Sequence, residues 1–166
     1  MTFLNIYTIT RAMKGKKMIY IISLMVIFLD QLTKNIVLNE MDVSKAIKLT
    51  SFFNLVLAYN TGVSFSLFSG HNPYILSIMA LIVCALIAWW MTREQDKTTR
   101  IGFAMIIGGA TSNVVDRLMH GAVIDFLDFY IGSYHWPAFN VADMAICIGA
   151  GIVILRSFFI NKGKQK

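Results

Sequence analysis

The chain has 166 residues, of which 57% are hydrophobic and 14% are charged, and its net charge is +6. Because soluble domains carry about 25% charged residues, this composition and a mean hydropathy of +0.64 exclude an ordinary water-soluble protein. They predict a single integral membrane domain over residues 1–166. Basic residues beside a bilayer account for the positive charge, so we expect membrane lipids as partners and no nucleic acid.

Four apolar segments follow one another along the chain. The second, PYILSIMALIVCALIAWWM, carries no charge over about the 20 residues that a bilayer core requires of a helix. The first follows KGKK but lacks a small-residue cleavage site, so we expect it to be retained rather than removed as a signal peptide. We predict membrane spans at residues 18–38, 73–91, 101–118 and 139–158.

Lysines and arginines are concentrated on one side of this layout. Most of them lie before the first span, in the TREQDKTTR loop between the second and third spans, or after the fourth span. The positive-inside rule makes this side cytoplasmic. We therefore expect both termini in the cytoplasm, and the two longer connections, residues 39–72 and 119–138, on the outer face.

The two outer connections differ in their patterns. In the first, AIKLT and VSFSLF alternate apolar and polar residues on either side of Asn-Thr-Gly at 60–62, which predicts a small antiparallel sheet. The second, GAVIDFLDFYIGSYHWPAF, is dense in aromatic residues, which is typical of the membrane–water interface. Both connections are expected at the outer membrane surface.

Three acids converge on one layer of the predicted bundle. Counted from the predicted span ends at the helical rise, Asp30, Asp116 and Asp143 reach similar depths in the outer half of the bilayer. Asp125 lies just above this layer, in the aromatic outer connection. Because a carboxylate in hydrocarbon is costly, a shared layer of acids indicates a functional site.

Each acid also has a structural interpretation. Asp30 is followed one turn later by Lys34, which suits an i,i+4 ion pair. Asp116 stands in SNVVDR, whose polar residues suit a network that braces helices. Asp143 follows Asn140 by three residues, the spacing of a helix N-cap with an acid in the first turn. Structural and functional interpretations of these acids stay open on spacing alone.

Clustered carboxylates favour one of two chemistries here. The histidines and cysteines lack metal-ligand spacing, so we expect no metal and no other cofactor. In an aspartic protease two close acids share a proton and activate a water, whereas a proton relay or transporter distributes acids through the membrane. Clustering in one leaflet favours the protease. The residues alone leave open which of Asp116, Asp125 and Asp128 would be the second acid, and Asp128 also suits a solvated interfacial charge.

Five motifs in order carry a resemblance to a known family. They are FLDQLTK (28–34), LAYNTGVSFS (57–66), GGATSNVVDR (108–117), AVIDF (122–126) and PAFNVADM (137–144). Together with the four-span layout, over residues 20–155, this set resembles bacterial lipoprotein signal peptidase, also called signal peptidase II. A single one of these motifs would be a weak signal, but five in order are specific.

The resemblance implies a fold and an activity. The fold is a mainly α membrane protein: a four-transmembrane-helix bundle with a small extracytoplasmic β-cradle and a short outer helix or loop. The activity is that of an aspartic endopeptidase in the bacterial cytoplasmic (inner) membrane, with its active site near the extracytoplasmic face. Its substrates are diacylglyceryl-modified prolipoproteins, whose signal peptide it removes on the N-terminal side of the lipidated cysteine. We expect a monomer.

The resemblance also assigns residues. The family's catalytic pair falls on Asp125 and Asp143, with Asp143 expected to ionise at a helix N-terminus and Asp125 expected to hold the shared proton. We expect the aromatic segment 126–136 to act as a lid. The positions that match site-lining or supporting residues are Asn60, Gly109, Asn113, Asp116, Arg117, Asn140, Asp30 and Lys34.

The chain departs from the family pattern at three places. Ser112 stands before Asn113 where a glycine is usual, Val63 and Ser64 replace an alanine pair, and Met144 stands where a small hydroxyl residue is common. Both proposed catalytic acids are kept. The departures therefore point to an altered substrate preference, with an inactive paralogue as the alternative.

Overall fold

The computed structural model describes residues 2–62 and 72–163, and the surroundings of side chains from residue 20 to 159 within those ranges. The helices are α1 (Thr2–Glu40), α2 (Pro73–Arg93), α3 (Lys97–His120) and α4 (Val141–Gly163). The strands are β1 (Ile47–Lys48) and β2 (Phe53–Asn60) before α2, and β3 (Val123–Ile131) and β4 (Tyr134–His135) before α4. The predicted VSFSLF run lies outside the described residues, as do Val63 and Ser64.

Local capping explains where two of the helices begin and end. Asn72 precedes α2 and accepts a hydrogen bond from the Tyr74 backbone N–H, with proline at the first helical position. Asp96 caps α3 in the same way through the Thr99 backbone N–H at 2.8 Å. Helix α3 ends at Gly121, whose φ of 72° is the left-handed conformation that glycine favours.

Helix α3 lies at the centre of the bundle and contacts α1, α2 and α4. Its buried face is made largely of small and polar residues, which allow close helix packing. The segments that are long and apolar enough to cross a membrane, within the described residues, are Tyr20–Glu40, Pro73–Arg93 and Val141–Phe159. Helix α3 is less apolar because its neighbours are other helices, and it is not among these segments. The described residues form four helices, and the count of four membrane spans stays a prediction.

The strands form one antiparallel sheet in the order β1-β2-β3-β4, which confirms the predicted small antiparallel sheet, while its place on the outer face stays a prediction. Strand β1 lies within the predicted AIKLT run. In the pairing of β2 with β3, Ala58 lies opposite Asp125 and Asn60 lies opposite Val123, after an irregularity that follows Leu55. This register brings the end of β2 next to the acid on β3.

The segment after α3 is a hairpin, so the short helix expected there is wrong. Strand β3 pairs with β2 along one edge and with β4 along the other. Its sequence, VIDFLDFYI, is rich in β-branched and aromatic residues, which favour a strand. Most of the predicted lid, residues 126–136, therefore belongs to this hairpin, and its closure over a substrate stays a prediction.

Candidate functional site

The first turn of α4 holds Asp143 by reciprocal capping. The Asn140 side-chain oxygen accepts the Asp143 backbone N–H at 2.9 Å, and Asp143 Oδ2 accepts the Asn140 backbone N–H at 3.3 Å. The predicted N-cap is therefore present. Asp143 Oδ1 accepts a further hydrogen bond from Asn113 Nδ2 on α3 at 2.9 Å. Its carboxylate thus caps α4 and also faces the interior of the bundle.

Asp125 lies on β3 and is almost fully buried, at 2% exposure. Its Oδ1 accepts a hydrogen bond from Asn140 Nδ2 at 2.7 Å, and its Oδ2 accepts one from Asn60 Nδ2 at 2.9 Å. Burial away from water raises the pKa of Asp125 from 3.8 to about 7; the Asn60 hydrogen bond opposes this rise and the Asp143 charge adds to it. This acid can hold a proton near neutral pH.

Asn140 contacts both acids and joins them. Its side chain donates to Asp125 while its backbone N–H donates to Asp143. Asn140 is fully buried, and the preceding Phe139 pairs with Leu127 on β3 in both backbone directions, at 2.9 and 3.1 Å. The start of α4 is therefore fastened to β3, and Asp125, rather than Asp116 or Asp128, shares a partner with Asp143.

Asp30 and Asp116 belong to a buried ion-pair network behind the two acids. Lys34 Nζ lies 2.6 Å from Asp30 Oδ2 and 2.6 Å from Asp116 Oδ2. It also donates to Asn113 Oδ1 at 2.9 Å. Asp30 Oδ1 accepts the Ala142 backbone N–H in the first turn of α4 at 2.8 Å. The predicted ion pair and the predicted bracing network are both present, and they tie α1 and α3 to α4.

The unusual Ser112 is part of this network. Its hydroxyl donates to Asp30 Oδ2 at 2.7 Å and accepts from Gln31 Nε2 at 3.0 Å. Gln31 also donates to Asp116 Oδ1 at 2.7 Å. Sequence reasoning missed Gln31, although its place directly after Asp30 in FLDQLTK was a signal. The departure at Ser112 therefore adds hydrogen bonds to a buried cluster.

The Asn-Thr-Gly turn at the end of β2 is fixed from two sides. Asn60 Oδ1 accepts the Gly62 backbone N–H at 2.9 Å, which directs the Asn60 amide group towards Asp125. The buried Arg117 guanidinium donates to the Gly62 carbonyl at 2.8 Å. Elsewhere on α3, a Cβ on Gly109 would collide with the Ala142 carbonyl oxygen, so this glycine allows α3 to approach the first turn of α4.

A cavity of about 420 Å³ opens beside Asp143, and Asn60, which donates a hydrogen bond to Asp125, also lines it. Its polar wall includes Asn60, Asn113, Arg117 and Asp143. The rest of the wall is mainly apolar and comes from α2, α3, α4 and the segment before α4, with Ala80, Ala110, Val123, Trp136, Pro137, Ala138, Phe139, Met144, Ile146 and Cys147 as its members. Sequence reasoning missed Ala80 and Cys147, since nothing local distinguishes them, whereas Trp136 stands in the aromatic segment 126–136 that was expected near the substrate. Among the described residues, no three His, Cys, Asp or Glu side chains are grouped as a metal site requires.

Asp128 is buried at 6% exposure, so its interpretation as a solvated charge is wrong. It accepts a hydrogen bond from Asn54 Nδ2 on β2 at 3.0 Å, and both of its oxygens lie 2.9 Å from His135 Nδ1 on β4. Because the sheet folds these three side chains together, Asp128 is paired within the sheet and lies apart from the contacts of Asp125.

Comparisons with known proteins agree with this arrangement. Residues 22–159 match the family model described as signal peptidase (SPase) II. The chain is 46% identical over 141 residues to the lipoprotein signal peptidase of Vibrio parahaemolyticus, covering 80% of this chain and 83% of that protein. It is 43% identical over 142 residues to the lipoprotein signal peptidase of Pseudoalteromonas atlantica, covering 82% and 87%. A solved structure of a bacterial membrane enzyme has the same fold, with a TM-score of 0.81, 24% identity, and 90% and 92% of the two chains covered. The chain therefore belongs to the signal peptidase II family, a family of proteases.

Proposed function

We propose that this chain is an aspartic endopeptidase that removes the signal peptide from diacylglyceryl-modified prolipoproteins, cleaving on the N-terminal side of the lipidated cysteine. One observation carries the mechanism: Asn140 is hydrogen-bonded to both Asp125 and Asp143, beside a cavity that reaches between apolar helices. Family membership supplies the protease class and the prolipoprotein substrates.

The two acids are suited to opposite protonation states. Asp143 accepts hydrogen bonds from Asn113 and from the α4 N-terminus, which both stabilise a carboxylate. Asp125, with its pKa raised to about 7, holds the shared proton. In this mechanism Asp143 takes a proton from water as the water attacks the scissile carbonyl, while Asp125 donates to the carbonyl oxygen. The roles then reverse as the C–N bond breaks.

The shape of the cavity supports a membrane-anchored substrate. Ala80 on α2, Ala110 on α3 and Cys147 on α4 form a largely apolar wall that continues away from the acids. An apolar signal peptide, or the acyl chains of the lipidated cysteine, could lie along this wall without leaving the membrane.

Charge supports an orientation with the acids towards the outer face of the bacterial inner membrane. Arg93, Lys97 and Arg100 lie at the far ends of α2 and α3, and Arg156 pairs with Asp96 there at 2.5 Å. Basic residues favour the cytoplasmic side. Helix α3 has 24 residues and packs between the other three helices. We therefore assign it as a membrane span, which together with α1, α2 and α4 makes four.

Cleavage of a diacylglyceryl-modified prolipoprotein by the purified protein tests the proposal. Asp125→Asn and Asp143→Asn remove ionisation but keep side-chain size, so each should lower kcat by about 10²- to 10⁴-fold without lowering the unfolding temperature. Asp42→Asn, which changes an exposed acid, is the matched control. A folded parent protein that cleaves no such substrate would favour an inactive paralogue. Cleavage that persists in either acid variant would exclude the pair as the catalytic dyad.

A further inference from the structure

The sheet contains a second acid–base contact outside the catalytic pair. Asp128 is more than nine-tenths buried, and its two oxygens lie 2.9 Å from His135 Nδ1. The His135 side chain is half-exposed and its ring stacks on Tyr130 with centroids 5.0 Å apart. A buried carboxylate requires hydrogen-bond or charge partners. His135 and Asn54 supply them for Asp128, so this contact favours a fixed position for the hairpin end.

The hairpin depends on this contact because its backbone pairing is short. Strands β3 and β4 share only two register pairs, Tyr130 with His135 and Ile131 with Tyr134. One further hydrogen bond runs from the Trp136 backbone N–H to the Phe129 carbonyl at 2.8 Å. The Asp128–His135 contact therefore holds the hairpin directly before Trp136.

Trp136 forms a wall shared by two cavities. On one side it lines the cavity beside Asp143. On the other it lines an almost wholly apolar cavity of about 430 Å³, whose remaining wall is formed by Phe52, Phe129, Tyr130, Ile131 and Tyr134. The second cavity lies on the sheet, and Trp136 is the residue that lines both cavities.

The direction of a bound substrate follows from the proposed function, on which this inference rests. An apolar signal peptide lies along the helices, and the acids lie where the helices meet the sheet. The chain that follows the cleaved bond must therefore leave along the sheet, past Trp136. The β3–β4 hairpin and Trp136 would be the first protein surface that this part of the substrate meets.

We propose that Trp136 is a specificity-determining residue that contacts the substrate segment following the lipidated cysteine, and that the Asp128–His135 pair is a positioning contact that holds Trp136 in place. Apolar and aromatic side chains in this segment suit the aromatic cavity on the sheet. Neither Trp136 nor the Asp128–His135 pair would contact the reacting atoms in this arrangement. Changes at these residues should therefore alter substrate binding and not the chemical step.

Steady-state kinetics with two substrates test the proposal. The long substrate extends several residues beyond the lipidated cysteine with an aromatic residue among them, and the short one ends directly after that cysteine. His135→Ala and Trp136→Ala should each raise KM for the long substrate about fivefold and leave kcat within about twofold, because only uniform binding is lost. KM for the short substrate should stay unchanged in His135→Ala, and in Trp136→Ala it should rise less than KM for the long substrate, because Trp136 also lines the cavity beside Asp143.

The double variant separates positioning from independent effects. If His135 acts through Trp136, the combination His135→Ala with Trp136→Ala should raise KM no further than either change alone. His135→Gln keeps a donor for Asp128 and should restore KM towards that of the parent protein. His120→Gln changes an exposed histidine at the end of α3 and is the matched control.

Each contrary outcome has its own meaning. Additive effects of the two changes, or equal changes in KM for the long and short substrates, would overturn the positioning contact. A fall in kcat for both substrates without a change in KM would show a purely structural role for His135 and also overturn it. If His135→Ala fails to fold, Trp136→Ala and His135→Gln decide the same question. A parent protein that cleaves neither substrate would instead overturn the proposed function, and the subsite with it.

Discussion

Asp125 on strand β3 and Asp143 on helix α4 are both hydrogen-bonded to Asn140, but their surroundings differ. Asp125 is a strand residue enclosed by amide donors from Asn60 and Asn140. Asp143 stands at a helix N-terminus and accepts a backbone N–H in addition to the Asn113 amide. Two equal acids would compete for one proton, whereas unequal surroundings assign the proton to one of them.

The raised pKa of Asp125 predicts how activity depends on pH. Because the proposed mechanism has protonated Asp125 donate to the scissile carbonyl, kcat should fall as the pH rises through about 7, where Asp125 loses its proton. The folded chain binds this proton more tightly than the unfolded chain, so ionisation of Asp125 should also lower the free energy of unfolding as the pH rises from 3.8 to about 7. A profile of kcat against pH measures the first effect, and a flat alkaline limb would contradict the assignment.

At the scale of secondary-structure elements, the site depends on the junction of α1, α3 and α4. Lys34 from α1 binds acids from α1 and α3, and Asp30 holds the first turn of α4 through Ala142. Gly109 lets α3 approach the same turn. Buried polar contacts outside the proposed catalytic pair therefore place Asp143 on α4.

Replacement of Lys34 tests this junction. Lys34→Met removes the only lysine or arginine that forms an ion pair with Asp30 or Asp116 within the described residues. Two buried carboxylates would lose their partner, so the free energy of unfolding should fall by about 3–5 kcal/mol. The matched control is Lys45→Met, which breaks an exposed pair with Asp42 and should cost at most about 1 kcal/mol. Denaturant unfolding in detergent measures both, and equal losses would show that the buried network is dispensable.

At the scale of the whole molecule, the cavity extends from the sheet into the helix bundle. It is bounded by three helices and by the segment that joins β4 to α4. Met144, one of the departures from the family pattern, lies on its wall with 43% of its surface exposed. A longer and more flexible apolar side chain here changes the shape of the cavity without touching the contacts of Asp125.

The two cysteines give a direct test of access to this cavity. Cys147 is exposed and lines the cavity one turn beyond Asp143, whereas Cys84 is buried on α2. A small apolar thiol reagent should therefore modify Cys147 first and lower activity at least about tenfold by occupying the cavity. Mass spectrometry would locate the label, and a bound substrate analogue should slow its attachment.

The control for this labelling is Cys147→Ala. The activity of this variant should be the same before and after treatment, because its remaining cysteine is buried. Inhibition of Cys147→Ala to the same extent as the parent protein would show that the reagent acts elsewhere and would remove this support for the cavity as the substrate site.

The sequence by itself determined the features that depend on local spacing. Runs of apolar residues gave the helices, since a helix needs a sustained length of suitable residues. The interval between Asn140 and Asp143 predicted the N-cap, and the interval between Asp30 and Lys34 predicted the ion pair. Five motifs in order identified the family, and the alternation around AIKLT predicted the outer sheet.

Only the tertiary structure decided which side chains meet across elements. The register of β2 against β3 brings Asp125, and not Asp128, to Asn60 and Asn140, and it buries Asp128 beside His135. Strand pairing also formed a hairpin where a short helix was expected. Such contacts join residues far apart in the chain, and a shift of one residue in register would turn each side chain to the opposite face of the sheet. Local patterns predict that a strand forms, but pairing and packing fix which of its faces meets the site.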